Sequence, residues 1–180
     1  MRNKFLLFFS LMMFFVANLS AQGTFTQITT LDDLTSGQYL IVGDGAASDG
    51  ILLNQTDASG HNTFIKHTTV VNPGSEISEG FTANNVFTLT ITDGVITLYH
   101  ESVGFITYRG SNNHASFHNG EAGNQEKWTP SVTDGLFSLT NVASPTRILQ
   151  WNNSSPRFAA YTTNQVKLKL YKLDEEEEEP

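Results

Sequence analysis

The chain has 180 residues, no cysteine, 18 acidic and ten basic side chains, and a formal net charge of −8. Six of the acids fall in Asp174–Glu179 and two of the bases, Arg2 and Lys4, stand at the start, so the stretch between them carries about −4. A weakly acidic body with scattered basic residues excludes the basic stripe that a nucleic-acid backbone demands, and zero cysteines exclude disulfides, thiolate metal sites and a lipid-modified cysteine.

In chain order, residues 1–21 come first. Arg2 and Lys4 precede an apolar run from Phe5 to Ala17, and small residues follow up to Ala21. This is the pattern of a secretory signal cleaved after Ala21. The run is short for a bilayer span, although an uncleaved anchor is the alternative. An exported chain without cysteine points to bacterial export, so the expected location is secreted, cell-surface or periplasmic. No membrane association is expected after cleavage.

Residues 22–173 form the expected folded domain. Helical periodicity is nearly absent; "TLDDLTSG", with Thr30 as a cap, is the one candidate helical turn. Short β-rich runs alternate with Gly, Asn, Asp and Ser clusters: "QYLIV", "GILLNQ", "TFIKHTTVV", "NVFTLTIT", "GVITLYH", "GFITYRG", "HASFHN", "EKWTPSV", "GLFSLTNV", "RILQWN", "RFAAY" and "VKLKLYKL". The runs repeat as three units. Gly37, Gly94 and Gly135 open them, and Tyr39, Ile96 and Phe137 follow. Asn54, Arg109 and Asn152 end the second run of each; Phe64, Phe117 and Phe158 mark the third; Phe87, Trp128 and Leu168 mark the fourth. Three units of four strands predict an all-β fold, a β-trefoil-like barrel of about twelve short strands in three pseudo-repeats. A two-sheet sandwich is the alternative. The stretch "NPGSEISEGFTANN" lengthens the first unit and reads as a surface loop. Residues 174–180, "DEEEEEP", read as a solvated acidic tail or a linker into further domains.

The search for chemistry is negative. His114 and His118 share a strand face but stand more than about 12 Å apart at ~3.3 Å per residue, too far to grip one ion, and no metal site or cofactor is expected. The acids, among them Asp44, Asp49, Asp57 and Glu126, lie in turn clusters and show no glycosidase-like pair. There is no G-x-S-x-G, and "GDGAASDG" lacks the lysine and helix of a phosphate loop. The chain is therefore expected not to be an enzyme.

Binding remains. Tyr108 and Arg109 before "GSNNH", and Trp151 and Asn152 before "NSSP", hold equivalent places in the second and third units, as Asn54 and Gln55 do in the first; with Asn112, Arg157 and Tyr161 beside them they are the candidate ligand-binding residues. An aromatic face with nearby amides suits a sugar. The alternative is that repeated aromatics are the repeated core, that Asn152–Ser155 is only a hairpin turn, and that Arg157 packs its stem over Trp151 or Tyr161. The Q-x-W signature of ricin-type lectins is missing: Gln150 abuts Trp151, and "QEKW" has one residue too many.

The closing stretch "RILQWNNSSPRFAAYTTNQVKLKLYKL" resembles a β-trefoil-like accessory module of unknown function found in secreted multidomain proteins of Bacteroidetes. The matching positions are Leu149, Gln150, Asn152, Pro156, Arg157, Phe158, Tyr161, Leu170, Tyr171 and Lys172. "SGQYLIV" and "EKWTPSV…GLFSLTN" fit more loosely. The resemblance implies an accessory role beside partner domains, among them endonuclease or lamin-tail domains, with no catalytic residues in this chain. The expected function is a non-catalytic module that binds a glycan or other extracellular polymer. A purely structural spacer is the first alternative and a small secreted hydrolase the second.

Overall fold

The computed structural model describes residues 23–46, 49–60, 62–110 and 112–174. The expected signal peptide, His61 and the acidic run 175–180 lie outside them. Among the described residues there are fourteen strands and a single 3-10 turn, Ala83–Asn85. The strands are β1 (Phe25–Ile28), β2 (Gly37–Asp44), β3 (Asp49–Ser59), β4 (Asn62–Val70), β5 (Glu76–Ile77), β6 (Phe87–Thr92) and β7 (Val95–His100). They continue with β8 (Gly104–Thr107), β9 (Ser116–His118), β10 (Lys127–Thr133), β11 (Leu136–Asn141), β12 (Ile148–Asn152), β13 (Arg157–Tyr161) and β14 (Leu168–Leu173).

Six of these strands close a ring: β14 pairs with β2, β2 with β6, β6 with β7, β7 with β10, β10 with β11, and β11 with β14. The remaining hairpins, β3–β4, β8–β9 and β12–β13, supply two strands to each of the three units. The repeat is visible in the register. Tyr39 stands opposite Phe87, Ile96 opposite Trp128 and Phe137 opposite Leu168, and all six side chains are fully buried. Each unit thus joins its first strand to its fourth through the residues that mark them in sequence. All fourteen strands connect in one sheet, which sets aside the two-sheet sandwich.

Local chemistry explains the joints. Asp93–Gly94 and Asp134–Gly135 link β6 to β7 and β10 to β11, with φ of +52° and +78°, and +54° and +73°. Positive φ at both central residues is the type I′ hairpin, whose twist matches the flanking strands. Pro130 in β10 lies beyond Lys127 and Trp128, the residues that pair with β7, so its missing N–H costs no bond on that side. The core runs through the ring into the hairpins, and Trp128 donates its indole N–H to the Ile106 carbonyl at 3.2 Å. Each such large buried side chain contributes roughly 1.5–3 kcal/mol by leaving water.

The hairpins of different units also meet. Phe158 pairs with Ile65, His114 bridges to Ala160, and the Ala115 N–H donates to the Thr63 carbonyl at 2.9 Å.

One local expectation holds in part and one changes. No helix forms at "TLDDLTSG", but Thr30 caps the bend there as expected: its Oγ1 accepts from the Asp33 N–H at 3.2 Å and donates to the Asp33 carboxylate at 2.6 Å, and the Leu34 N–H donates to the Leu31 carbonyl at 3.2 Å. The insertion after β4 is more than a surface loop. It contributes β5, which pairs with β1, and sets Phe81 edge-on to Phe25 at 5.1 Å. With Leu40, Val42, Ile51, Ile77 and Tyr171 these form a second apolar cluster outside the ring. Just beyond β14, the Asp174 N–H donates to the Thr24 carbonyl at 2.9 Å.

Candidate functional site

The aromatics singled out from sequence are core residues. Trp151 is fully buried and Tyr108 and Tyr161 are 6% and 3% exposed. Trp151 lies against the backbone of Gly43, with Phe158 tilted over it at 4.9 Å and His67 edge-on at 4.9 Å. The Tyr108 ring is covered by the Arg147 guanidinium 5.2 Å from its centroid. None of the three rings presents an open face for a sugar.

The polar candidates divide. Asn152 builds the turn after β12: its side-chain oxygen accepts from the N–H groups of Ser154 and Ser155 at 3.1 and 3.0 Å. Asn112 sits exposed at φ +63°, a left-handed position that asparagine tolerates. Arg109 is committed to Glu126, with contacts of 2.9 Å from Nε and 2.8 Å from a terminal nitrogen to one carboxylate oxygen. Glu126 is fully buried and also accepts from Thr107 Oγ1 at 2.6 Å and the Gly123 N–H at 2.9 Å. Burial pushes its pKa up, but the bonds from Thr107, Arg109 and Gly123 and the Arg109 charge outweigh this and hold the carboxyl below its ordinary value. Asn85 is the counterpart in the first unit. It stands two residues ahead of Phe87 as Glu126 does ahead of Trp128, is fully buried, and donates to the Leu52 carbonyl and Thr68 Oγ1. Arg109 therefore serves the fold.

Arg157 is different. Its guanidinium lies 3.8 Å over the centroid of Phe64, a residue of the first unit. It lines a cleft of about 290 Å³ between the β3–β4 hairpin and the turn after β12. Asp57, Ser59, Lys66 and His67 line the first-unit side, and Ser155 and Pro156 the other. The pairing of Phe158 with Ile65 brings the two hairpins side by side. Burial, with the neighbouring Lys66 charge, lowers the pKa of His67, so its imidazole is neutral at neutral pH. Sequence reasoning found Arg157 and the "NNSSP" wall but missed the opposite wall. The available signal was "FIKH", where Lys66 and His67 break an apolar strand directly after Phe64 and Ile65.

A second polar cluster lies at the β2–β3 hairpin, where Asp44 and Asp49 stand opposite each other and Lys169 pairs with Asp44. Burial and the nearby Asp44 raise the pKa of Asp49, and burial with both carboxylates pushes the Tyr171 hydroxyl up to about 12. His114 and His118 do not share a strand; the His114 Nδ1 accepts from the Thr63 N–H at 3.2 Å. Among the described residues no three His, Asp or Glu side chains gather as a metal site would require.

A closed six-strand ring with one hairpin per unit defines a β-trefoil, and solved structures agree. The lectin of Polyporus squamosus, bound to the human-type influenza-binding epitope Neu5Acα2-6Galβ1-4GlcNAc, matches with a TM-score of 0.57 at 12% identity, over 77% of this chain and 50% of its own. The BEL β-trefoil matches with a TM-score of 0.54 at 14% identity over 78% of this chain and 95% of its own. The designed threefold-symmetric protein ThreeFoil matches with a TM-score of 0.55 at 16% identity over 77% and 99%. This chain spans about half the length of the lectin. At such identities the likeness shows the fold, an all-β trefoil. No protein-family model and no curated protein sequence matches the chain.

Proposed function

We propose that this chain is a non-catalytic, exported binding module that recognises a glycan or other extracellular polymer through the cleft between the β3–β4 hairpin and the turn after β12. The observation that carries this reading is the cleft itself: a concavity of about 290 Å³ in which Asp57, Lys66, Ser155 and Arg157 offer polar groups beside the Phe64 ring. Such a mixture of a few polar groups over an apolar floor is what saccharide and other small-molecule sites share. The lectin bound to Neu5Acα2-6Galβ1-4GlcNAc supports the same reading by fold. The carboxylates speak for binding over hydrolysis. Glu126 is held ionised by Thr107, Arg109 and the Gly123 N–H, so it is unsuited to donate a proton, and Asp44 is engaged by Lys169. Export follows from the pattern of residues 1–21, and the acidic run after Leu173 is proposed to lead into further domains. The test is titration of the isotope-labelled full chain with a panel of oligosaccharides. Saturable amide shifts confined to residues 57–59, 64–67 and 155–157 are expected, and silence across the panel would favour the structural-spacer role.

A further inference from the structure

Three arginines are described, and two have their donors engaged within the protein. Arg109 is bound to Glu126, and Arg147 donates to Asn113 Oδ1 at 3.2 Å and the Ala160 carbonyl at 3.4 Å. Among the described residues Arg157 has no such partner. Its Nε is buried without an acceptor, and its guanidinium lies over the face of Phe64. A guanidinium stays charged at any relevant pH and carries five donors in a rigid fork. A buried donor without a partner is unfavourable, which makes the Arg157 Nε–H costly for the protein alone, while the half-buried side chain keeps its charge at the edge of the cleft. Stacking on Phe64 holds the planar group in place, so little further ordering is needed when an acceptor arrives.

The surrounding charge favours an anion. Lys66 adds a second positive group to the cleft, against one carboxylate, Asp57. Asp57 forms no ion pair with either, and its Oδ1 accepts from the Ala58 N–H at 2.8 Å. A positive excess at this spot stands out from a body that is net acidic. The Phe64 face that a neutral sugar would stack on is already occupied by Arg157. We propose that the cleft takes an acidic saccharide, its carboxylate or sulfate seated against Arg157 beside the turn after β12. This rests on the cleft being a glycan site, and the test separates the two ideas.

The experiment is calorimetry of the full chain with a hyaluronan tetrasaccharide, which carries carboxylates, a keratan sulfate tetrasaccharide, which carries sulfates, chitotetraose, which is uncharged, and sodium sulfate. Acidic oligosaccharides are expected to bind at least about tenfold tighter than chitotetraose and to weaken as salt is raised. Arg157→Gln should lose about ten- to a hundredfold in affinity, and Arg157→Lys should recover only part, because a single ammonium cannot reproduce the fork. The better of the two acidic ligands identifies the anion. Chitotetraose binding as tightly, with Arg157→Gln unchanged, overturns the acidic preference and leaves the glycan reading standing. Sulfate binding as tightly as any saccharide, and dependent on Arg157, upholds the anion seat and overturns the glycan reading. Binding of nothing overturns both. In the wild-type chain the Arg157 Nε–H resonance, assigned by its loss in Arg157→Lys, is expected to move at saturation with the acidic ligand; a stationary signal overturns the proposal whatever the stability of the variants.

Discussion

Residue by residue, burial decides which polar groups are free to meet a ligand. Arg109 and Arg157 look alike in sequence, each flanking a polar turn beside large aromatics, yet Arg109 is consumed by a carboxylate that has left water. Breaking such a pair is asymmetric. Glu126→Gln removes the buried charge and leaves Arg109, whose side chain is 43% exposed, in contact with solvent. Arg109→Leu strands a fully buried carboxylate. The expected cost by urea denaturation is about 2–4 kcal/mol for Arg109→Leu, discounted for the exposure of the arginine, and about 1–2 kcal/mol for Glu126→Gln. The folded pKa of Glu126 lies below its ordinary 4.5, so its contribution is complete above that pH and is lost as pH falls through the folded value. Wild type should therefore lose stability below about pH 4.5 more steeply than Glu126→Gln. Equal acid slopes would show that the carboxylate is not held ionised by its neighbours. None of this was legible in the sequence, because Glu126 sits 17 positions from Arg109 and nothing in "NQEKW" announces that its acid is buried. Arg157 was legible as a site candidate, but its unpaired state depends on Phe64, which belongs to another unit.

At the scale of elements, periodicity carried most of the information. The three units were readable because the ring needs a large, mostly apolar side chain at the same register in each, and Tyr39–Phe87, Ile96–Trp128 and Phe137–Leu168 supply it. The anchor two residues ahead of the fourth-strand mark, by contrast, varies from unit to unit: a polar side chain in the first and second, Asn85 and Glu126, and in the third the backbone of Val166, tied to Trp151 by bonds of 3.0 Å in both directions. The lid made by β5 and Phe81 was not readable, since one strand of two residues inside a glycine-rich stretch carries no period. Packing between elements gives a sharper test. A Cβ on Gly43 of β2 would stand 2.2 Å from Trp151 Cγ, so β2 and β12 approach as closely as only glycine permits. Gly43→Ala is expected to cost about 2–3 kcal/mol through overpacking. In combination with Trp151→Leu the two losses should sum to more than the double variant shows, because the smaller side chain makes room for the methyl. Strict additivity in thermal unfolding would mean that the two strands adjust independently.

On the scale of the whole molecule, the ring closes through the seam between β2 and β14, whose register runs from Tyr39–Lys172 to Gly43–Leu168 and joins nearly the two ends of the described body. On the other edge of β14, β1 pairs from Phe25–Leu173 to Ile28–Leu170, so the first and last strands cover each other. The hairpins built on Asp93–Gly94 and Asp134–Gly135 are local, whereas this seam must wait for the entropy of closing almost the entire chain. Folding dominated by such non-local pairing is expected in the millisecond-to-second range. The order of events follows from the same contrast. Leu170 is fully buried at the seam, where it pairs with Ile41 on one side and Ile28 on the other, and Leu170→Ala should cost about 2–5 kcal/mol. If the seam forms after the transition state, that loss appears almost wholly as faster unfolding, while Gly135→Ala, strained at φ +73° in a local turn, slows folding. Stopped-flow fluorescence of Trp128 and Trp151 reads both rates. A Leu170→Ala variant that slowed folding as much as it destabilised the protein would place ring closure inside the nucleus, and the three units would then be products of the closed ring and not the pieces from which it assembles.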